Sequence, residues 1–328
     1  MNSRFEDTIF LTDAPGFEAL ALDLFRFQYQ ENPVYQQYVN ALGIVGAAVT
    51  RLADIPFLPI RFFKTHPIQS TVFSPQAVFE SSGTTGSVNS RHLVRSLDLY
   101  RQSFNKAFEL FYGPVRDWCV IGLLPSYLER SHSSLVVMVD ELIRLSGHPD
   151  SGFYLYEHAK LQEVLQRLEA QGQRVLLIGV TFALLDLAGR YPMPLQHTVI
   201  METGGMKGRR EEMTRQEVHA LLGDAFGLPA IHSEYGMTEL LSQAYSAGQG
   251  LFRCPPWMRV LMRQEDDPFD IRSEGTGIVN VIDLANVYSC SFIATDDVGR
   301  LYADGSFEVQ GRLDNSDIRG CSLMVTAL

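Results

Sequence analysis

The stretch Phe79-Glu80-Ser81-Ser82-Gly83-Thr84-Thr85-Gly86-Ser87-Val88-Asn89-Ser90 concentrates groups that can hold an anion. From Ser81 to Gly86 it offers four hydroxyls and two glycines. Glycine lets the backbone wrap closely and turn successive N–H groups toward a ligand, and hydroxyls add donors that carry no charge. Such a segment suits a phosphate, or it is a polar turn between a strand and a helix expected from Leu97. It is not a Walker loop, because no lysine follows the glycines in Gly-x-x-x-x-Gly-Lys order. A second group of reactive types lies in Glu234-Tyr235-Gly236-Met237-Thr238-Glu239, and a third in Thr295-Asp296-Asp297-Val298-Gly299-Arg300. Cys321 stands beside Gly320 and near Arg319, a setting that favours a mobile thiolate nucleophile. Each has a plainer reading. Glu239 can be a surface carboxylate that starts a helix, Tyr235 a core aromatic, Asp297 a turn acid, and Cys321 a small buried residue in an apolar tail.

Charge bounds the partners. The 328 residues carry 27 basic against 38 acidic side chains, a net charge of −11. A chain that negative suits neither a nucleic-acid backbone nor an anionic membrane surface. Any phosphate must be gripped locally, by amides, hydroxyls and a metal ion. With 46% hydrophobic residues and 20 Phe the chain can bury a large core, so extensive disorder is excluded. Cys119, Cys254, Cys290 and Cys321 are too scattered for a disulfide framework or a C-x-x-C zinc site. The amino terminus lacks a signal-type apolar core, and the run Val175 to Gly189 is too short to span a bilayer. A soluble, cytoplasmic protein is expected.

The elements that must position these residues follow from periodicity. Leu97, Tyr100, Phe104, Ala107 and Phe108 recur at helical spacing, as do Leu161, Val164, Leu165 and Leu168. Short apolar runs at 118–124, 175–180 and 198–201 predict buried strands of a largely parallel sheet. From about residue 241, Gly, Asp and Ser recur between strand-like runs at 277–283, 289–294 and 306–310, which predicts a smaller β-rich subdomain. The segment 54–66 (DIPFLPIRFFKTH) is either an ordered connection over a pocket or a wrapped loop.

Taken in order, these motifs resemble the adenylate-forming superfamily of acyl- and aryl-CoA ligases. Ser81–Gly86 resembles its phosphate loop. Glu202-Thr203-Gly204-Gly205 resembles the glycine pair that lies along adenine, and Glu234–Glu239 the Tyr-Gly-x-Thr-Glu motif. Thr295–Arg300 resembles Thr-Gly-Asp-Leu-Gly-Arg with Asp296 in place of glycine, and Gly311-Arg312-Leu313-Asp314 resembles the start of the hinge. The short tail with Cys321, together with the segments 56–64 and 124–130, is similar to the LuxE-like acyl-protein synthetases within that superfamily.

The resemblance implies an α/β large domain of largely parallel sheets flanked by helices. A core over 1–240 would be followed by a β-rich subdomain over 241–311 and a hinge-like tail over 312–328, with the C-terminal small domain absent. It implies ATP and Mg²⁺, with Ser81, Ser82, Gly83, Thr84, Thr85 and Gly86 on the β- and γ-phosphates and Thr238 on the α-phosphate. Glu239 would hold the metal, Gly204, Gly205, Tyr235 and Gly236 would face adenine, and Asp297 and Arg312 would face the ribose. A fatty or other carboxylic acid would be adenylated, passed to Cys321 and delivered to an acyl-CoA-reductase-like partner. A phenylacetate-CoA-ligase type of enzyme that uses CoA, and a non-catalytic nucleotide- or acyl-binding module, are the alternatives. Two departures stand out. Ser87 to Arg91 replace the usual Pro-Lys, so that Arg91 is the candidate cation, and the lysine of the small domain has no counterpart. His132, His232, Phe182 and Leu184 lie near the motifs and serve equally well as packing residues.

Overall fold

The computed structural model describes residues 3–81, 88–124, 132–204 and 213–313. The chain opens with helices α1 (Ser3–Thr8), α2 (Ala14–Glu31) and α3 (Pro33–Ala41). The Asp13 and Asn32 side chains accept from Gly16 and Tyr35 N–H, and a proline follows each cap, so both starts are encoded locally. The segment 54–66 is ordered. It contributes β1 (Leu58–Pro59) and the short α4 (Phe62–Thr65), and its residues from Asp54 to Arg61 form one wall of a 620 Å³ cavity.

Strands β2 (Ala77–Glu80) and β3 (Arg91–Val94) pair antiparallel, with Glu80 opposite Arg91. The hydroxyl-rich segment therefore connects two strands rather than a strand and a helix. The helix expected from Leu97 is present as α5 (Leu97–Tyr112), capped by Ser96, but β3 precedes it. A four-residue strand of mixed polarity gives too little alternation to register in the sequence.

The parallel sheet follows: β4 (Cys119–Leu123), α6 (Ser134–Ser146), β5 (Gly152–Phe153), α7 (His158–Gln171), β6 (Val175–Gly179), α8 (Thr181–Arg190), β7 (Thr198–Glu202), α9 (Arg215–Phe226), β8 (His232–Tyr235) and β9 (Ala244–Ser246). Its spatial order is β5-β4-β6-β7-β8-β9, parallel throughout except for β9. Strands β4 and β6 are buried at every position, as the unbroken apolar runs required.

The remaining strands are β10 (Leu251–Phe252), β11 (Met258–Arg263), β12 (Ile271–Arg272), β13 (Gly275–Asp283), β14 (Phe292–Leu301) and β15 (Phe307–Arg312). They form an antiparallel sheet of order β10-β15-β14-β13-β11-β12. Strand β1 adds to β14 in parallel, Leu58 opposite Ile293. Residues 289–291, expected to begin the strand, precede β14 because their polar groups bond elsewhere: Ser291 N–H donates to Gln28, and Ser289 C=O accepts from Ser70 and Asn32. One apolar cluster runs from α2 through α5 to β13 and β14, so the two sheets share a core.

A buried carboxylate ties the sheets together. Asp283, at the end of β13, accepts from Leu241 N–H (2.7 Å), Ser242 N–H (3.0 Å), Ser242 Oγ–H (2.6 Å) and Ala285 N–H (3.1 Å). Burial raises its pKa, and these four donors work against that rise. Replacing Asp283 by Ala strands three buried N–H groups. Urea unfolding of Asp283→Ala is expected to show a loss of about 3 kcal/mol or more.

Candidate active site

Strands β8 and β9 run antiparallel, and the turn between them carries Thr238 and Glu239. Such a turn would ordinarily be free to move; here its backbone is held from two directions. His92 Nδ1, on β3, lies 2.8 Å from the Thr238 carbonyl, and its Nε2 lies 3.0 Å from Asn286 Oδ1. The Asn286 amide group donates to Glu239 C=O (2.7 Å) and Cys290 C=O (2.9 Å), which fixes its orientation. Burial holds the imidazole neutral, with a pKa pushed down to about 4. A neutral ring has one N–H to share between its two acceptors. Asp283 completes the clamp at Leu241 and Ser242.

Glu239 is 4% exposed. Burial raises its pKa, while a hydrogen bond from Ser90 and the charges of Arg312 and Lys64 oppose the rise. Ser90 in turn donates its N–H to Ser81 Oγ (2.9 Å) and accepts from Ser81 N–H (3.1 Å). The two ends of the hydroxyl-rich segment are thus closed on each other and joined to Glu239. Among the described residues no group of three or more His, Cys, Asp or Glu converges on a metal position. A single buried carboxylate beside a phosphate-type segment suits Mg²⁺, which takes one or two carboxylates and fills its shell with phosphate and water oxygens.

A second cluster lies on β8, β14 and β15. Tyr235 donates its hydroxyl to Asp297 Oδ2 at 2.8 Å, and Arg312 Nε stands 3.5 Å from Asp297 Oδ1. Strand register explains the meeting, because Asp297 lies opposite Arg312 across β14 and β15. Asp297 N–H is anchored by Thr295 Oγ1. Asp297 and Arg312 border a cavity of 1570 Å³ that runs along α9. Gly204 adopts φ +76, a conformation that suits glycine, with open space where a side chain would stand. Its N–H donates to Glu202 Oε1 (2.6 Å), which also accepts from Thr181 Oγ1.

Of the residues singled out in the sequence, Ser81, Gly204, Tyr235, Gly236, Thr238, Glu239, Asp297 and Arg312 are described, while Ser82, Gly83, Thr84, Thr85, Gly86, Gly205 and Cys321 lie outside the described residues. The structure joins Tyr235 to Asp297 and Arg312, and Ser81 to Glu239 through Ser90. Arg91 pairs with Glu80 at 3.7 Å. His232 Nδ1 meets the Tyr112 hydroxyl, His132 Nδ1 lies 3.3 Å from Val78 C=O, and Leu184 is core. Cys119 and Cys290 are buried, and burial pushes the thiols of Cys254 and Cys290 up to about 12, which excludes them as thiolates near neutrality. Ser90 stood in the hydroxyl-rich stretch without a role of its own, and His92, Asp283 and Asn286 lay outside every motif. The signal for the last two was an Asp and an Asn that follow a strand of apolar residues, where buried polar groups need partners.

This arrangement of sheets defines a class. It is similar to a 2-hydroxyisobutyryl-CoA ligase solved with 2-HIB-AMP and CoA (TM-score 0.62, 13% identity, 92% of this chain and 78% of that one). It is also similar to apo MatB from Rhodopseudomonas palustris (TM-score 0.51, 16% identity, 83% and 51%) and to a luciferase-like enzyme from the mealworm Zophobas morio (TM-score 0.50, 17% identity, 75% and 60%). The fold is that of the adenylate-forming ligases. Residues 12–328 match the family model "Acyl-protein synthetase, LuxE", and the chain belongs to that family. No curated protein sequence matches it. No helix among the described residues is long and apolar enough to cross a membrane.

Glu234, just before Tyr235, yields a test of this electrostatic picture. Burial and the nearby Glu202 carboxylate raise its pKa from 4.5 to about 8. A carboxyl whose folded pKa is raised stabilises the fold below its unfolded value and loses that contribution as pH climbs through the folded one. The thermal stability of the wild type is therefore expected to fall between pH 5 and 8. In Glu234→Gln this decline is shallower, by on the order of several degrees at pH 8.

Proposed function

We propose that this chain activates a carboxylic acid, a fatty acid in the manner of its family, with ATP and then carries the acyl group as a thioester on Cys321. The observation that supports the reading best is the meeting of Tyr235, Asp297 and Arg312 at a cavity edge, within electrostatic reach of Glu239. An ionised Asp297 offers acceptors only, which suits the two hydroxyls of a ribose. Tyr235 orients that carboxylate, and its ring is held against Phe252 and Phe307. Arg312 supplies positive charge to an acidic chain where a nucleotide needs it.

In the first step a carboxylate oxygen of the acid attacks the α-phosphorus, and the bond to pyrophosphate breaks. Charge on the phosphate oxygens would be met by the Thr238 hydroxyl at the α-phosphate and the Ser81–Gly86 segment at the β- and γ-phosphates. Mg²⁺ held by Glu239 neutralises charge on the phosphates when bound. In the second step the Cys321 thiolate attacks the acyl carbonyl carbon and AMP departs. The thioester would then be handed to a partner enzyme of the acyl-reductase type, and CoA is the competing acceptor.

Exchange of labelled pyrophosphate into ATP is expected to require the acid. Asp297→Asn is expected to raise the KM for ATP about tenfold or more, the loss of a charge-assisted hydrogen bond. Cys321→Ser should keep the exchange reaction but lose the hydroxylamine-sensitive acyl label. Equal labelling of that variant, or turnover that depends on CoA, would refute transfer to Cys321.

A further inference from the structure

Strand β14 separates two cavities. Asp297 lines the 1570 Å³ cavity described above, whereas Ala294 and Asp296, on the other face of the strand, line the 620 Å³ cavity walled by the segment from Asp54 to Arg61. The residues that follow β14 in the sheet divide in the same way. Arg312 lines the first cavity, and Leu313, whose N–H donates to Asp296 C=O, lines the second. None of the described residues assigned to the nucleotide lines the second cavity.

That cavity is chiefly apolar. Leu42, Ile44, Val49, Phe57, Ile271 and Leu313 lie on its wall. Its size falls in the range of about 300–1,000 Å³ usual for small-molecule pockets. One charged group interrupts the apolar lining. Arg263, on β11, is half-buried there and donates to Thr295 C=O (2.9 Å) and Asn280 Oδ1 (3.3 Å), both neutral acceptors. Among the described residues it forms no ion pair. The charge of Asp296 acts on it from a distance, and burial lowers the guanidinium pKa by more than that charge raises it. A cation drawn partly out of water with no anion beside it is a standing cost.

The surroundings add to that demand. Asn280 lies opposite Ala294 across β13 and β14, is fully buried, and has an amide nitrogen without a hydrogen-bond partner. Arg61, which forms no ion pair among the described residues, lines the same cavity. Of the other carboxylates on the wall, Asp54 is already held by Arg51 at 2.6 Å, and Glu265 is exposed to solvent. An apolar hollow with an uncompensated guanidinium on its wall suits a molecule that is apolar along its length and anionic at one end.

We propose that this cavity is a second ligand site, for a straight-chain amphiphile with one anionic end, its alkyl chain against the apolar wall and its anion on Arg263. The site is separate from the nucleotide residues and does not depend on the adenylation reading. A free alkanoate and an alkyl phosphate share the required chemistry.

The test is photo-crosslinking and calorimetry on the full chain without ATP. The probes are a diazirine-bearing long-chain alkanoate and the alkyl phosphate, primary alcohol and alkylammonium of the same length. The label is expected on residues 42–61 and 263–271. At least one of the two anions should bind about tenfold or more tightly than the alcohol, the worth of a charge-assisted pairing, and the tighter of them names the head group. Arg263→Met should reduce the anions to the affinity of the alcohol, and Arg263→Lys should keep part of the preference. Because Arg263→Met also removes two hydrogen bonds, Ala53→Trp provides an independent check. It fills the cavity from an exposed position and should abolish labelling there. Labelling confined to other segments, or equal binding of the anions and the alcohol, overturns the proposal. Label in the cavity without acid-dependent pyrophosphate exchange upholds this site and counts against the adenylation reading, and exchange without that label does the reverse.

Discussion

The buried carboxylate of Asp283 is the constraint around which the candidate active site is arranged. It sits at the end of the central strand of the antiparallel sheet and saturates three amides and a hydroxyl, two of the amides belonging to the turn between β8 and β9. Taking a carboxylate out of water is expensive, and this one is retained because the donors around it are complete. The consequence is positional. Thr238 and Glu239 ride on a turn fastened to the second sheet by Asp283 and Asn286, and to β3 by His92. Strand β3 lies just past the far end of the hydroxyl-rich segment, where Ser90 bonds to Ser81, so the same strand that carries His92 also holds the two described ends of that segment together.

Electrostatics then work locally against the charge of the whole molecule. A chain of net charge −11 repels a polyanion at long range. Within the site, Arg312 and Lys64 lie near Glu239, and Arg312 pairs loosely with an Asp297 that is also held by Tyr235.

Much of this was legible in the sequence because unbroken apolar runs and ordered motifs carry strong signals. The runs 118–124 and 175–180 became the fully buried parallel strands β4 and β6, and α5 begins where its periodicity does. Tyr235, Asp297 and Arg312, which are 62 and 15 residues apart in sequence order, meet only because β14 and β15 pair in a particular register. That register is a property of the folded sheet. Strand β3 was invisible because Arg91–Val94 is short and half polar, and His92 could not be read as a clamp without its partner 194 residues away. Polar residues in buried strands, such as Asn280 and Asp283, announce a need for partners but not who the partners are.

Calorimetric titration of ATP, with and without Mg²⁺, tests the central claim most directly. The claim is that a clamped turn bearing Glu239 and a facing hydroxyl-rich segment grip a metal–triphosphate in an acidic protein. Wild type should bind ATP in a manner that strengthens with Mg²⁺, and Glu239→Gln, with its fold intact by circular dichroism, should lose the Mg²⁺-dependent part. Binding that is absent in the wild type, or equally Mg²⁺-dependent in the variant, would contradict the account.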